Sequence, residues 1–138
     1  MDSDSQHNPQ DLIKFLSINS NFTFVIGKRK FNNSMPIHRR LSNIITSFII
    51  SKLCNTPIYD SQSGYRRYKL TAVCSETYNE SGFQFESEVL IKLLKYNNCT
   101  IQHVDIDTIY NNESSSINNI NDTIKFIKLI ARSIINNL

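Results

Sequence analysis

The sequence predicts an α/β fold, with a mixed sheet and flanking helices. Two observations carry this: strand-like and helix-like segments alternate along the chain, and the clearest apolar pattern has helical periodicity. Pro9 to Leu16 reads as a short helix, with Asn8 as its N-cap and Pro9 at its first position. Phe22 to Ile26 is a β-rich run closed by Gly27, which predicts a buried strand. Arg40 to Cys54 is the clearest helix. Leu41, Ile44, Ile45, Phe48, Ile49 and Leu53 recur as one stripe expected to face the core, and Asn43, Ser47, Ser51 and Lys52 lie on other faces. Pro57 forbids continuation, and the polar, glycine-marked stretch Ser61 to Tyr68 reads as a loop. Glu86 to Tyr96 predicts a second helix with Val89, Leu90, Leu93 and Leu94 inward. Ile101 to Tyr110 reads as a strand and Asn111 to Asn118 as a loop. Asn121-Asp122 then caps a final amphipathic helix running towards Asn136.

The chain has 138 residues, 40% of them hydrophobic and 20% charged, with a formal net charge of +3. That is the composition of an ordinary globular domain, or of a piece of a larger one. The charge is too small to point to nucleic acid, though it is compatible with phosphate-bearing ligands or an anionic membrane surface. Cys54, Cys74 and Cys99 are odd in number and widely spaced. This argues against a disulfide framework or a thiolate zinc site and fits a reducing compartment. The longest apolar stretch, Ile44 to Ile50, is interrupted by Thr46 and Ser47 and falls far short of the ~20 residues of a spanning helix.

Four clusters could carry chemistry. The first is Asp2-Ser3-Asp4-Ser5-Gln6-His7: Asp-x-Asp aims two hard oxygen ligands at one divalent cation, and the alternative is a solvated acidic tail. A calcium-loop reading fails, because an EF-hand needs glycine at position 6 and a carboxylate at position 12. Counted from Asp2, those places hold His7 and Ile13. The second is Asp60-Ser61-Gln62-Ser63-Gly64-Tyr65-Arg66-Arg67, where a carboxylate, an amide and two guanidiniums share a loop. It suits either a phosphate-bearing ligand or a surface turn with a structural Asp–Arg pair. In the third, Gly82-Phe83-Gln84-Phe85-Glu86-Ser87-Glu88, two carboxylates open a helix, either for chemistry or as partners of the helix dipole. The fourth sets Lys28-Arg29-Lys30 and His38-Arg39-Arg40 around Met35-Pro36. It is a basic patch beside an amphipathic helix, either a solvated face or a phosphate and membrane contact.

Taken in order, these motifs resemble family-2 glycosyltransferases. The quoted pattern is Asp-x-Asp-x-Gln-His-x-Pro, Val-Ile-Gly-x-Arg, Met-Pro-x-x-Arg-Arg-x-x-Asn, Asp-Ser-Gln-Ser-Gly-Tyr-Arg, Gly-Phe-x-Phe-Glu-x-Glu and a later Ile-Tyr followed by Glu-Ser-Ser. The branch they look most like is the dolichyl- and polyprenyl-phosphate sugar transferases, which includes the dolichol-phosphate mannose synthases. The resemblance implies the C-terminal half of a nucleotide-diphospho-sugar transferase (GT-A-like) fold, beginning at the Asp-x-Asp. The nucleotide-binding half that precedes this motif in the family is absent from the 138 residues, so the chain alone is expected to be inactive unless a separate polypeptide supplies it.

The same resemblance implies roles. Asp2 and Asp4 would hold Mg²⁺ or Mn²⁺ at the donor diphosphate, with Gln6 a further donor contact. Arg29 would meet phosphate, and Lys28 stands where many relatives carry serine. Arg40 would approach the acceptor or the membrane. Asp60 and Arg66 would orient acceptor and sugar, with Gln62 between them in the same loop. Glu86 falls near the place of a base for a hydroxyl acceptor, and Glu88 is the weaker candidate. The implied partners are a nucleotide-sugar donor, a polyprenyl-phosphate acceptor and a peripheral contact with the cytoplasmic membrane face through Arg39, Arg40 and the helix that follows. The alternatives are transfer to a sugar hydroxyl and a non-catalytic remnant or binding subunit.

Overall fold

A computed structural model describes residues 7–30, 35–107 and 119–135. The motif residues Asp2, Asp4 and Gln6, and the Tyr110 and Glu113 to Ser116 positions, lie outside the described residues. A 3-10 turn, Pro9–Asp11, leads into helix α1 (Leu12–Ser17), and the Asn8 side chain accepts from the Gln10 N–H at 3.0 Å, as expected of an N-cap. Strand β1 (Phe24–Arg29) is followed by helix α2 (Ile37–Cys54), strand β2 (Arg66–Tyr68) and the short helix α3 (Leu70–Cys74). Helix α4 (Phe83–Ile91) widens into a π turn over Lys92–Tyr96, then β3 (Ile101–Ile106) and α5 (Asn119–Ile134) complete the order.

The three strands form a sheet in the order β2-β1-β3. β1 pairs antiparallel with β2 (Val25 opposite Arg67) and parallel with β3 (Val25 opposite Gln102). The predicted mixed α/β sheet with flanking helices is therefore present. On one face Phe24 and Ile26 pack against α2, α4 and α5 through Ile50, Leu90, Leu93 and Leu129. On the other, Val25, Val104 and Ile106 pack against Phe15 and Tyr65.

Some expectations change. Gly27 does not close β1, because the strand runs on to Arg29. The glycine serves close approach: a Cβ there would stand 2.7 Å from Ile106 Cδ1 and 3.2 Å from the Tyr65 carbonyl oxygen, to which the Gly27 N–H donates at 2.8 Å. Part of the expected 61–68 loop is strand β2, too short to show a period of its own and ordered by its ladder with β1. Helix α4 begins three residues before Glu86, at a Gly82 cap with φ +62°.

The largest correction concerns α2. Asn43 and Ser47 are buried, whereas Leu41, Ile44, Ile45 and Phe48 are exposed, Phe48 by 60%. Periodicity places these apolar residues together on one stripe, and that stripe faces away from the core. The inward groups are polar because the segment beneath them, residues 58–61, offers polar atoms. Ser51 Oγ donates to the Ile58 carbonyl at 3.1 Å and accepts from the Ile58 N–H at 2.8 Å, and Ser47 Oγ accepts from the Ser61 N–H at 2.8 Å.

Candidate functional site

Asp60 is fully buried at the carboxyl end of β1. A carboxylate in that position must be compensated, and four donors meet it. The Arg29 backbone N–H and Nε approach Oδ2 at 3.1 and 2.7 Å, and Arg29 Nη2 and Asn43 Nδ2 approach Oδ1 at 2.8 and 2.6 Å. The Arg29 pairing is the bidentate fork that guanidinium geometry favours. Asn43 is itself oriented by Ser47, whose hydroxyl donates to Asn43 Oδ1 at 2.9 Å and so leaves Nδ2 for the carboxylate. Strand β1, helix α2 and the 60–66 loop thus meet on one carboxylate. The Asp–Arg pair allowed for in the sequence is present, but with Arg29 rather than with Arg66 or Arg67.

Arg66 closes the same loop from its other end. Its Nε donates to the Ser63 carbonyl at 2.6 Å, Nη2 to the Ser61 carbonyl at 2.7 Å and Nη1 to the Glu86 carbonyl at 3.0 Å. The Glu86 carboxylate lies 3.0 Å from Arg66 Nη2, so the loop is fastened to the first turns of α4. Arg67 points elsewhere and braces α1 by donating to the Phe15 and Ile18 carbonyls at 2.6 and 2.8 Å. Gln62 is exposed on the loop, and Arg40 is exposed in the first turn of α2.

His7, the first described residue after the Asp-x-Asp, is buried with its ring 5.0 Å from that of Tyr65, which in turn stacks on Phe15 at 4.4 Å. Burial, assisted by Asp11, raises the Tyr65 phenol above its ordinary value. The chain on the far side of the Asp-x-Asp is thereby tied to the Asp60–Arg66 loop. Among the described residues no group of three or more His, Cys, Asp or Glu is placed to hold a metal ion.

Two features give residues a structural part that the motifs do not indicate. Asn43, Ser47 and Ser51 recur at i, i+4 and i+8, a polar stripe visible in the sequence once a buried polar face is entertained. Glu88 is fully buried and organises the chain before α4: its carboxylate accepts from the Asn79 and Glu80 N–H groups at 3.0 and 2.8 Å, with Lys92 Nζ 3.4 Å away. Lys92 also donates to the Thr77 carbonyl at 2.5 Å.

These features define an α/β unit in which a buried Asp–Arg–Asn cluster and an Arg–Glu clamp hold one loop at the end of a parallel strand pair. The chain is similar to a UDP-N-acetylglucosamine–dolichyl-phosphate N-acetylglucosaminyltransferase of Methanococcus voltae, 36% identical over 117 residues, which is 79% of this chain and 46% of that protein. It is also similar to an uncharacterized protein of Methanocaldococcus jannaschii, 29% identical over 122 residues, covering 83% of this chain and 50% of that protein. The chain spans about half the length of these curated relatives. The first similarity supports a relationship to dolichyl-phosphate glycosyltransferases. No family model matches the chain, and no solved structure matches it.

Proposed function

We propose that this chain is the acceptor-side part of a glycosyltransferase that moves a sugar from a nucleotide-sugar to a dolichyl or polyprenyl phosphate. The observation that supports this best is a convergence. Arg29, Asn43 and Asp60 come from three separate motifs of one family pattern and meet on a single carboxylate, while Arg66 and Glu86 join two motifs in a second contact. The name of the Methanococcus relative supplies the substrate class.

In this reading Arg29 contacts phosphate and Asp60 fixes the orientation of its guanidinium. Arg66 and Glu86 hold the loop from which Gln62 reaches substrate, and Gln6 and Arg40 complete the donor and acceptor contacts. Asp2 and Asp4 would hold Mg²⁺ or Mn²⁺, a Lewis acid that stabilises the charge of a departing diphosphate. A lipid phosphate is already ionised near neutral pH and needs little help from a base. Glu86 therefore works better as the partner of Arg66 than as a proton acceptor.

Isothermal titration of the chain with a short-chain polyprenyl phosphate tests this. Binding should be measurable and should weaken about tenfold in Arg29→Lys, which keeps the charge and loses the fork. Absence of binding, or binding indifferent to Arg29→Lys in a folded variant, would return the chain to the remnant reading. Parallel titrations with UDP-N-acetylglucosamine and with GDP-mannose, each with Mn²⁺, test the donor and metal assignments separately.

A further inference from the structure

We infer that Tyr59, with Lys28 and Asp105, forms a subsite that holds a neutral sugar ring. Tyr59 is 55% exposed, yet the chain on both sides of it is pinned. Before it, Ser51 Oγ donates to the Ile58 carbonyl and accepts from the Ile58 N–H. After it, Asp60 is fully buried and takes four donors from Arg29 and Asn43. The ring itself is propped by the sheet. Lys28 Nζ lies 5.0 Å from its centroid, and the His103 ring meets it in a T-shaped contact at 4.8 Å. An exposed aromatic ring that is fixed beforehand loses little freedom when a ligand stacks on it.

Place and charge select the ligand. β1 and β3 run parallel, and Lys28 stands opposite Asp105 near their carboxyl ends, the end at which open α/β sheets take up ligands. Lys28 Nζ is 3.7 Å from Asp105, and one step past the strand ends Lys30 Nζ is 3.9 Å from Asp107. The two cations and two carboxylates cancel, so these four groups offer a phosphate no net attraction. They do offer hydrogen-bond donors and acceptors side by side. A pyranose has the matching surface: an apolar C–H face to lie on the Tyr59 ring, and a rim of hydroxyls that both donate and accept.

The role of this subsite rests on the sugar-transfer reading above. Tyr59 adjoins Asp60 in the chain and Lys28 adjoins Arg29, and Asp60 and Arg29 are paired. A ring stacked on Tyr59 therefore lies beside that buried pair. The sugar held there is the one transferred, and Tyr59 is its stacking contact.

The test is saturation-transfer NMR of the chain with the methyl glycoside of N-acetylglucosamine, the sugar named for the Methanococcus relative, and separately with uridine. Neither probe carries a phosphate or a lipid, so glycoside binding can appear where the polyprenyl-phosphate titration fails, and the reverse. The glycoside ring protons should be saturated by the chain. Tyr59→Ala should weaken binding about tenfold, whereas Tyr59→Phe, which keeps the stacking face, should hold it within about threefold. Asp105→Asn should weaken it by a smaller factor, and all three variants should keep the parent circular dichroism spectrum. The inference is overturned if the glycoside is not saturated, or if Tyr59→Ala binds it as well as the parent does. Equal losses in Tyr59→Ala and Tyr59→Phe would also overturn it, because the ring face would then not be the contact. Tyr59-dependent binding of uridine without binding of the glycoside would overturn it too, and assign the ring to a nucleoside base.

Discussion

Helix α4 and its π extension bury Val89, Leu90, Leu93 and Leu94, whereas α2, packed beside them, buries Asn43 and Ser47 and exposes Leu41, Ile44, Ile45 and Phe48. Both helices place charge-bearing contacts in the interior: Glu88 with Lys92 from α4, and Asn43 with Asp60 from α2. The difference lies in what each helix covers. α4 lies over the apolar face of β1 at Phe24 and Ile26, while the upper part of α2 lies over residues 58–61, whose backbone and side-chain polar atoms need partners. Periodicity tells which residues share a face. The neighbour decides which face turns inward.

The sharpest way to break this comparison is to truncate one large apolar residue from each helix. Leu90 is fully buried at the centre of the larger cluster, so Leu90→Ala should cost about 2–5 kcal/mol, from lost transfer energy plus a cavity. Phe48→Ala removes a larger side chain, yet from an exposed position, and should cost less than about 0.5 kcal/mol. Urea denaturation of the two variants reads both. A Phe48→Ala loss approaching that of Leu90→Ala would show that the α2 stripe is packed after all.

A second measurement addresses the polar side of α2. Asn43→Ala removes one donor from a buried carboxylate and strips Ser47 of an acceptor. A hydrogen bond to a charged group is worth about 1.5–3 kcal/mol, so a loss of that size is expected by urea denaturation. Asn43→Asp should be worse at neutral pH and should recover partly in acid, where protonation of either carboxyl restores a donor. If Asn43→Ala were as stable as the parent, α2 would not be gripping the loop through this residue.

Much of this was legible in the sequence, and what was not has physical causes. The short N-terminal helix with its Asn8 cap, the burial of Val89, Leu90, Leu93 and Leu94, and the α/β class all follow from local rules that the tertiary structure leaves intact. Asp60, Arg29, Arg66 and Glu86 could be singled out as residues, but not their pairing. Arg66 and Arg67 stand six and seven positions from Asp60 and looked like its natural partners, whereas Arg29 reaches it only because β1 ends beside the 60–66 loop. Strand β2 was missed because three residues carry no period, and the orientation of α2 because periodicity has no sign. The burial of Glu88 depends on backbone N–H groups of residues 79 and 80, which side-chain patterns do not record.

The least disruptive test uses a proton. His103 lies on β3 opposite Ile26, with its ring 4.8 Å from Tyr59 and its Nε2 buried without a hydrogen-bond partner among the described residues. Tyr59 follows Ile58, whose carbonyl accepts from Ser51 of α2, so α2 helps to position the ring beside His103. Burial lowers the imidazole below its usual 6.5 and nearby Lys28 lowers it further, with Asp60 opposing. The folded state therefore binds this proton less readily than the unfolded chain. Stability from His103 is complete above pH 6.5 and is lost as the pH falls from there through its lowered folded value. Urea midpoints between pH 7.5 and 5 should show a decline that His103→Gln flattens, and the assigned His103 ring resonance should titrate below the ordinary range. An unaltered decline in His103→Gln would mean that another group takes up the destabilising proton and that burial does not hold the His103 imidazole neutral.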